Sequence, residues 1–218
     1  ASKNNVKMME GFMYAFHPQF DRIMNTIKSN ILGDINYAHS MFSFPIQPAR
    51  FYRINRSMEN GGGALWDIGP YAIHTLRQCF KENPIRVKAI AKLNEHGADI
   101  TTTGLIDFGN NKRATFDISF ECTRRSEFEA FGPLGRVKCP TVWQPECEQA
   151  KIIINTESSG LTEEVVPAAN HFILEINHFN KAISSDTTQK LSNEDALWNV
   201  KTLESIQQSI KKDSWINL

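Results

Sequence analysis

Between residues 85 and 166 the chain is a succession of short runs rich in Ile, Val, Thr and Phe, with no helix-length amphipathic segment between them. That succession leaves few folds open. Parallel neighbours need crossovers of about a dozen residues or more, and the gaps here are too short to hold helices. Residues 85–93, 98–108, 114–120, 126–131, 136–139, 150–155 and 161–166 therefore read as strands of a mainly antiparallel sheet. Asn110-Asn111 is a hairpin signal between two of them. Residues 114–120 (ATFDISF) alternate in polarity, as a strand does when one face is buried.

The flanking regions supply the rest. Residues 6–14 (VKMMEGFMY) read as a buried strand ended by His17-Pro18, and residues 19–30 as an amphipathic helix through Phe20, Ile23, Met24 and Ile27. A structural element so close to the start suggests that a preceding portion lies elsewhere. Residues 35–44 look like a strand. Residues 45–60, with two prolines and Arg50, Arg53 and Arg56, form an irregular loop long enough to cover a ligand. Two helices close the chain, over residues 171–184 and 193–212, the second opened by Ser192-Asn193-Glu194-Asp195. The expectation is one α+β domain over residues 1–218, a large mainly antiparallel sheet with helices on one face. Its other face must be solvated or covered. Thr115, Asp117 and Ser119 are polar with a single charge, which suits a homodimer contact through the sheet.

Charge narrows the partners. Lys plus Arg equals Asp plus Glu, so nothing recommends nucleic acid or a membrane surface. No apolar run approaches the roughly 20 residues of a membrane span. The first residues contain no apolar signal core. Cys79, Cys122, Cys139 and Cys147 have no CxxC spacing, so reduced thiols and a cytoplasmic location are expected.

The stretch with most chemistry is residues 61–74, Gly-Gly-Gly-Ala-Leu-Trp-Asp-Ile-Gly-Pro-Tyr-Ala-Ile-His. Three glycines lack Cβ atoms and allow a close approach. A helical run follows, in which Leu65, Ile68, Ala72, Leu76 and Phe80 form an apolar stripe. In one helix, Asp67, Tyr71 and His74 would share a face as an acid–base patch. Pro70 should kink or restart that helix, which leaves the placing of Asp67 open. The plainer reading is a glycine loop, a helix start, an exposed Asp and two half-buried rings.

The triple glycine is not a phosphate cradle. The dinucleotide fingerprint needs a strand, GxGxxG and a helix, and Gly61 follows an Arg-rich loop. His171, Glu175 and His178 share a helical face, but without the HExxH order they read as packed neighbours, and no metal site is expected.

Residues 10–19, Glu-Gly-Phe-Met-Tyr-Ala-Phe-His-Pro-Gln, carry a more specific signal. With Gly33-Asp34-Ile35, residues 61–71, Glu175-Ile176-Asn177-His178-Phe179 and the closing residues 209–218, the run resembles the second domain of the glucose–fructose oxidoreductase, inositol dehydrogenase and rhizopine-catabolism (Gfo/Idh/MocA) family, in its sugar and dihydrodiol dehydrogenase branch. The resemblance implies a substrate-binding and dimerisation domain. It also implies a Rossmann domain for NAD or NADP outside these residues, whose Glu-Lys-Pro motif supplies a partner lysine. Tyr71 stands where the family places its proton-transfer residue, four after Asp67. Ala15 departs from that branch, which has Arg there.

On this resemblance Tyr71 and Asp67 are the catalytic candidates, and His74, Met13 and Arg53 the substrate-binding ones. A phenol with a pKa of about 10 is a poor base at neutral pH, so Tyr71 needs the lysine and nicotinamide charges of the missing domain. The intact protein is expected to oxidise or reduce a sugar, polyol or dihydrodiol-type alcohol, and this chain alone to be inactive and to hold no cofactor tightly. NAD-dependent glycoside hydrolysis and a non-catalytic sugar-binding or dimerisation module are the alternatives.

Overall fold

The computed structural model describes residues 2–4, 6–144 and 149–218. In chain order its helices are α1 (Pro18–Lys28), α2 (Ala64–Asp67), α3 (Gly69–Phe80), α4 (His171–Ser184) and α5 (Asn193–Lys212). Its strands are β1 (Tyr37–Ser43), β2 (Arg86–Leu93), β3 (Asp99–Gly109), β4 (Lys112–Ser119), β5 (Arg125–Gly132), β6 (Gly135–Cys139), β7 (Gln149–Thr156), β8 (Gly160–Pro167) and β9 (Ile216–Asn217). Short 3-10 helices cover Met13–Phe16, Pro48–Arg53 and Met58–Asn60.

The strands form one sheet in the order β8-β7-β6-β5-β1-β4-β3-β2-β9. Consecutive strands from β2 to β8 pair antiparallel where they are neighbours, because their connections are too short for a crossover. Asn110 and Asn111 both take positive φ in the β3–β4 turn, the geometry that a two-residue hairpin requires. The exception to antiparallel pairing is β1, which enters between β5 and β4 and lies parallel to β4, with Ser40 opposite Phe116. Everything from α2 to β3 serves as the crossover that parallel pairing demands.

Alternation decides the faces. Phe116, Ile118 and Phe120 are buried under the helices, as are Ala38 and Phe42 of β1. Each large side chain so buried contributes about 1.5–3 kcal/mol. The opposite face carries cross-strand ion pairs: Arg125 with Asp117, Lys138 with Glu127 at 2.7 Å, and Lys151 with Glu163 at 2.7 Å. It is more charged than the Thr115–Asp117–Ser119 pattern suggests, because neighbouring strands place opposite charges beside one another.

Helix ends follow local chemistry. Pro18 sits in the first turn of α1, and the His17 Nδ1 accepts from the Gln19 N–H at 3.2 Å. Asn170 caps α4, its Oδ1 accepting from Phe172 and Ile173, and Ser192 caps α5.

Residues 6–14 are not a strand. The stretch to Phe12 runs without regular structure, and Met13–Phe16 is a 3-10 helix. Its apolar residues are used as anchors instead: Phe12 stacks on His74 with ring centroids 4.5 Å apart, and Tyr14 is buried against Phe20. Cys79, Cys122 and Cys139 are free thiols, and Cys147 lies outside the described residues. Among the described residues no helix is long and apolar enough to cross a membrane.

Candidate active site

The three glycines serve the backbone. Gly61 takes φ 74° to close the 3-10 helix before it, and Gly63 takes φ 96°. A Cβ on Gly62 would lie 1.9 Å from the Arg56 carbonyl oxygen, and one on Gly63 1.9 Å from Asp99 Oδ1. The close approach inferred for this stretch is thus made by the protein itself. Asp99 caps α2, accepting from the Leu65 N–H at 2.8 Å and the Thr102 hydroxyl at 2.7 Å. Burial pushes its carboxyl up to about 6.

Pro70 acts as expected. The helix stops at Asp67, Ile68 closes it by donating its N–H to the Ala64 carbonyl at 2.9 Å, and α3 restarts with Pro70 in its first turn. Asp67 and Tyr71 belong to separate helices, yet both open on one cleft of about 210 Å³. Met13, Arg53 and Arg50 also line it, with an apolar wall of Phe42, Phe44, Ile68 and Trp143. Four of the sequence candidates, Met13, Arg53, Asp67 and Tyr71, therefore come together from four elements of the chain.

Arg53 Nη1 donates to Asp67 Oδ2 across the cleft, and the pair is about a quarter exposed. The Tyr71 ring packs edge-on to Phe12 at 5.5 Å and to Phe42 at 5.9 Å, which holds its direction. Burial, and after it the charges of Asp67 and Glu175, push the phenol above its ordinary value, while Arg53 opposes them. Glu175 of α4 has a buried Oε1 with no hydrogen-bond partner, and burial raises its carboxyl too.

His74 is not in the cleft. It is fully buried, with Nδ1 2.5 Å from the Tyr14 hydroxyl and Nε2 2.9 Å from Asp195. The spacing from Tyr71 is helical, but Tyr14 and the first turn of α5 close over the imidazole and shut out any ligand. As a substrate-binding residue His74 is corrected to an interior one. Arg50 was foreshadowed by its place three residues before Arg53. Phe42 and Phe44 gave only strand signals, and Trp143 sits in a segment with no chemical pattern of its own.

Three larger hollows, about 370 Å³ between α3 and α5, about 420 Å³ near the β3–β4 turn and about 380 Å³ between Trp66 and α5, contain neither Tyr71 nor Asp67. The cleft with the phenol is the one that gathers Met13, Arg53, Asp67 and Tyr71. Among the described residues no three His, Cys, Asp or Glu side chains are grouped to hold a metal ion.

Comparison with known proteins bears on the family and the fold. Similar proteins include the uncharacterized oxidoreductase ORF334 of Rhizobium meliloti, 28% identical over 217 residues, covering 96% of this chain and 64% of that protein. The trans-1,2-dihydrobenzene-1,2-diol dehydrogenase of Xenopus laevis is 28% identical over 159 residues, covering 71% and 46%. The chain thus spans under two thirds of the length of these relatives. Among solved structures, an aldose-aldose oxidoreductase from Caulobacter crescentus complexed with glycerol superposes with a TM-score of 0.87 at 18% identity, covering 100% of this chain and 65% of that one. A 3-ketoreductase from Actinomadura kijaniata, in complex with NADP and TDP-benzene, does so with a TM-score of 0.86 at 23% identity, covering 96% and 64%. The model of the GFO/IDH/MocA C-terminal domain matches residues 20–138, more than half of the chain, and the chain belongs to that family.

Proposed function

We propose that this chain is the substrate-binding half of an NAD(P)-dependent oxidoreductase that interconverts a hydroxyl and a carbonyl on a sugar, polyol or dihydrodiol-type compound. The observation that carries the proposal is the Tyr71 phenol, half-buried in a cleft beside the Arg53–Asp67 pair. Relatives named for a dihydrodiol, an aldose and a nucleotide-linked keto sugar support the substrate class.

Tyr71 takes the hydroxyl proton during oxidation and returns it during reduction. The nicotinamide, when bound, supplies the hydride acceptor or donor. Asp67, held by Arg53, orients the reacting hydroxyl or the phenol. Met13, Phe42 and Trp143 form the wall that keeps water from the reacting carbon. The groups around Tyr71 fit a cationic ring. Burial first, and then the charges of Asp67, Glu175 and Glu10, raise the phenol's pKa while Arg53 lowers it, so a further positive charge would bring that pKa down toward neutral pH.

This chain has no GxGxxG fingerprint, so the dinucleotide site belongs to a separate Rossmann domain. Alone, the chain is inactive and holds no cofactor tightly. The intact protein works as a cytoplasmic homodimer joined through the open sheet face.

Tyr71→Phe, in the protein carrying its dinucleotide-binding domain, should lower turnover by about 10²-fold or more. Turnover is followed by reduced-nicotinamide absorbance on a polyol and sugar panel. An unchanged rate rejects the assignment of Tyr71. Glycoside cleavage without net reduction of the coenzyme would replace oxidation by hydrolysis.

A further inference from the structure

Helix α4 shows its apolar side to water. Phe172, Ile176, Phe179 and Ile183 follow one another at helical spacing and form one stripe, and Ile173 flanks it. Phe172 is 53% exposed, Ile176 58% and Ile183 54%. The stripe turned toward the rest of the chain is the polar one. His171 lies 6.2 Å from the His17 ring, His178 lies 5.1 Å from the Phe16 ring, and the Glu175 Oε1 is buried. A surface helix of a self-contained domain has the opposite arrangement. A patch of this kind marks an interaction surface.

We propose that the Phe172–Ile176–Phe179–Ile183 stripe, extended by Val6 and Met8, is the docking surface for the dinucleotide-binding domain of the same protein. The inference rests on the reading above and adds the surface on which the two halves meet. Three observations favour this occupant. The relatives are longer than this chain by more than a third of their length, which is room for a body of domain size. The segment leading from the start of the chain is tied to the far end of α4: Lys7 pairs with Asp186 at 2.8 Å, and Gln189 Nε2 donates to the Met8 carbonyl at 2.9 Å. Val6 and Met8 on that segment are themselves exposed. A domain attached upstream is therefore tethered beside the stripe, at high effective concentration. Finally, Glu175 on the inner side of α4 acts on the Tyr71 phenol. The stripe lies on the outer side of that same helix, so a body docked there adjoins the element that borders the phenol.

Hydrogen exchange compares the α4 amides in the 218-residue chain and in the longer protein with its dinucleotide-binding domain. The expected result is at least a tenfold slowing of exchange along α4 in the longer protein. Ile176→Glu with Ile183→Glu should abolish that slowing while leaving the circular dichroism of the 218-residue chain and the dinucleotide affinity of the longer protein unchanged. Equal exchange of α4 in the two proteins overturns the proposal. So does a 218-residue chain that sediments as a dimer and becomes monomeric on the double substitution, because the occupant is then a second copy. Slowed exchange that the double substitution abolishes, in a protein that turns over no alcohol, supports the docking surface and rejects the oxidoreductase reading, so the two failures are told apart.

Discussion

The Tyr14 hydroxyl lies 2.5 Å from Nδ1 of His74, and neither side chain reaches the surface. On the other side of the ring, Asp195 accepts from Nε2–H at 2.9 Å, and with burial favouring the neutral imidazole, Nδ1 is the acceptor for Tyr14. Arg77 and Gln78 hold the same Asp195 carboxylate, at 2.9 and 3.0 Å. Thr75 Oγ1 stands 2.8 Å from the Tyr14 hydroxyl and accepts from Trp143 Nε1 at 2.8 Å. This network joins the segment carrying Met13 to α3, which carries Tyr71, and to the wall residue Trp143. Tyr14→Phe leaves a buried acceptor without its donor. It should cost about 1–3 kcal/mol of stability, measured by urea denaturation.

The same imidazole predicts a pH dependence. Burial lowers the His74 pKa from its ordinary 6.5, outweighing the bond to Asp195. Burial would raise Asp195, but His74 and Arg77 hold it below its ordinary value, so it stays ionised throughout this window. Below pH 6.5 the unfolded chain takes up a proton that the folded chain refuses. The His74 contribution is thus fully present above that pH and is lost as the pH falls, by at most about 1.4 kcal/mol per unit. Urea midpoints measured from pH 7.5 to 5 should fall more steeply for the unmodified chain than for His74→Gln. Parallel curves would mean that His74 is protonated in the folded state.

Gly63 and Gly61 should respond differently to one added methyl group. At Gly63 the φ of 96° and a contact of 1.9 Å to Asp99 Oδ1 act together. Gly63→Ala should therefore cost more than about 3 kcal/mol and disturb the α2 cap. Gly61 has φ 74° but open space around it, and Gly61→Ala should cost about 1–2 kcal/mol. Thermal unfolding of the two variants ranks them directly.

Arg53 and Glu175 should move the Tyr71 phenol in opposite directions. Arg53→Met removes the positive charge that opposes burial and Asp67, so the titration should shift upward. Glu175→Gln should shift it downward. Phenolate absorbance, taken as the difference from Tyr71→Phe at each pH, isolates this one tyrosine. The Arg53–Asp67 pair is partly exposed, so Arg53→Met should cost no more than about 1 kcal/mol of stability. A shift of the same sign in both variants would mean that desolvation alone governs Tyr71.

Local chemistry by itself determined much of this protein. The β4 alternation, the Asn110-Asn111 turn, the break at Pro70 and the bounds of α4 and α5 follow from rules acting over a few residues, and all are legible in the chain. Residues 6–14 misled because apolar content does not distinguish a strand from a set of anchors. Only the absence of a neighbouring strand and the fit of Phe12 and Tyr14 against α3 decided between them. For His74 helical spacing set the side of the helix, while partners 60 and 121 positions away set whether that side met ligand or core. Tertiary packing likewise gathered Met13, Arg53, Asp67 and Tyr71 into one cleft and turned the apolar stripe of α4 to solvent. Helix and turn geometry is a short-range property of the backbone, whereas a site is a coincidence of distant side chains, and only the packed core brings them within a bond's length.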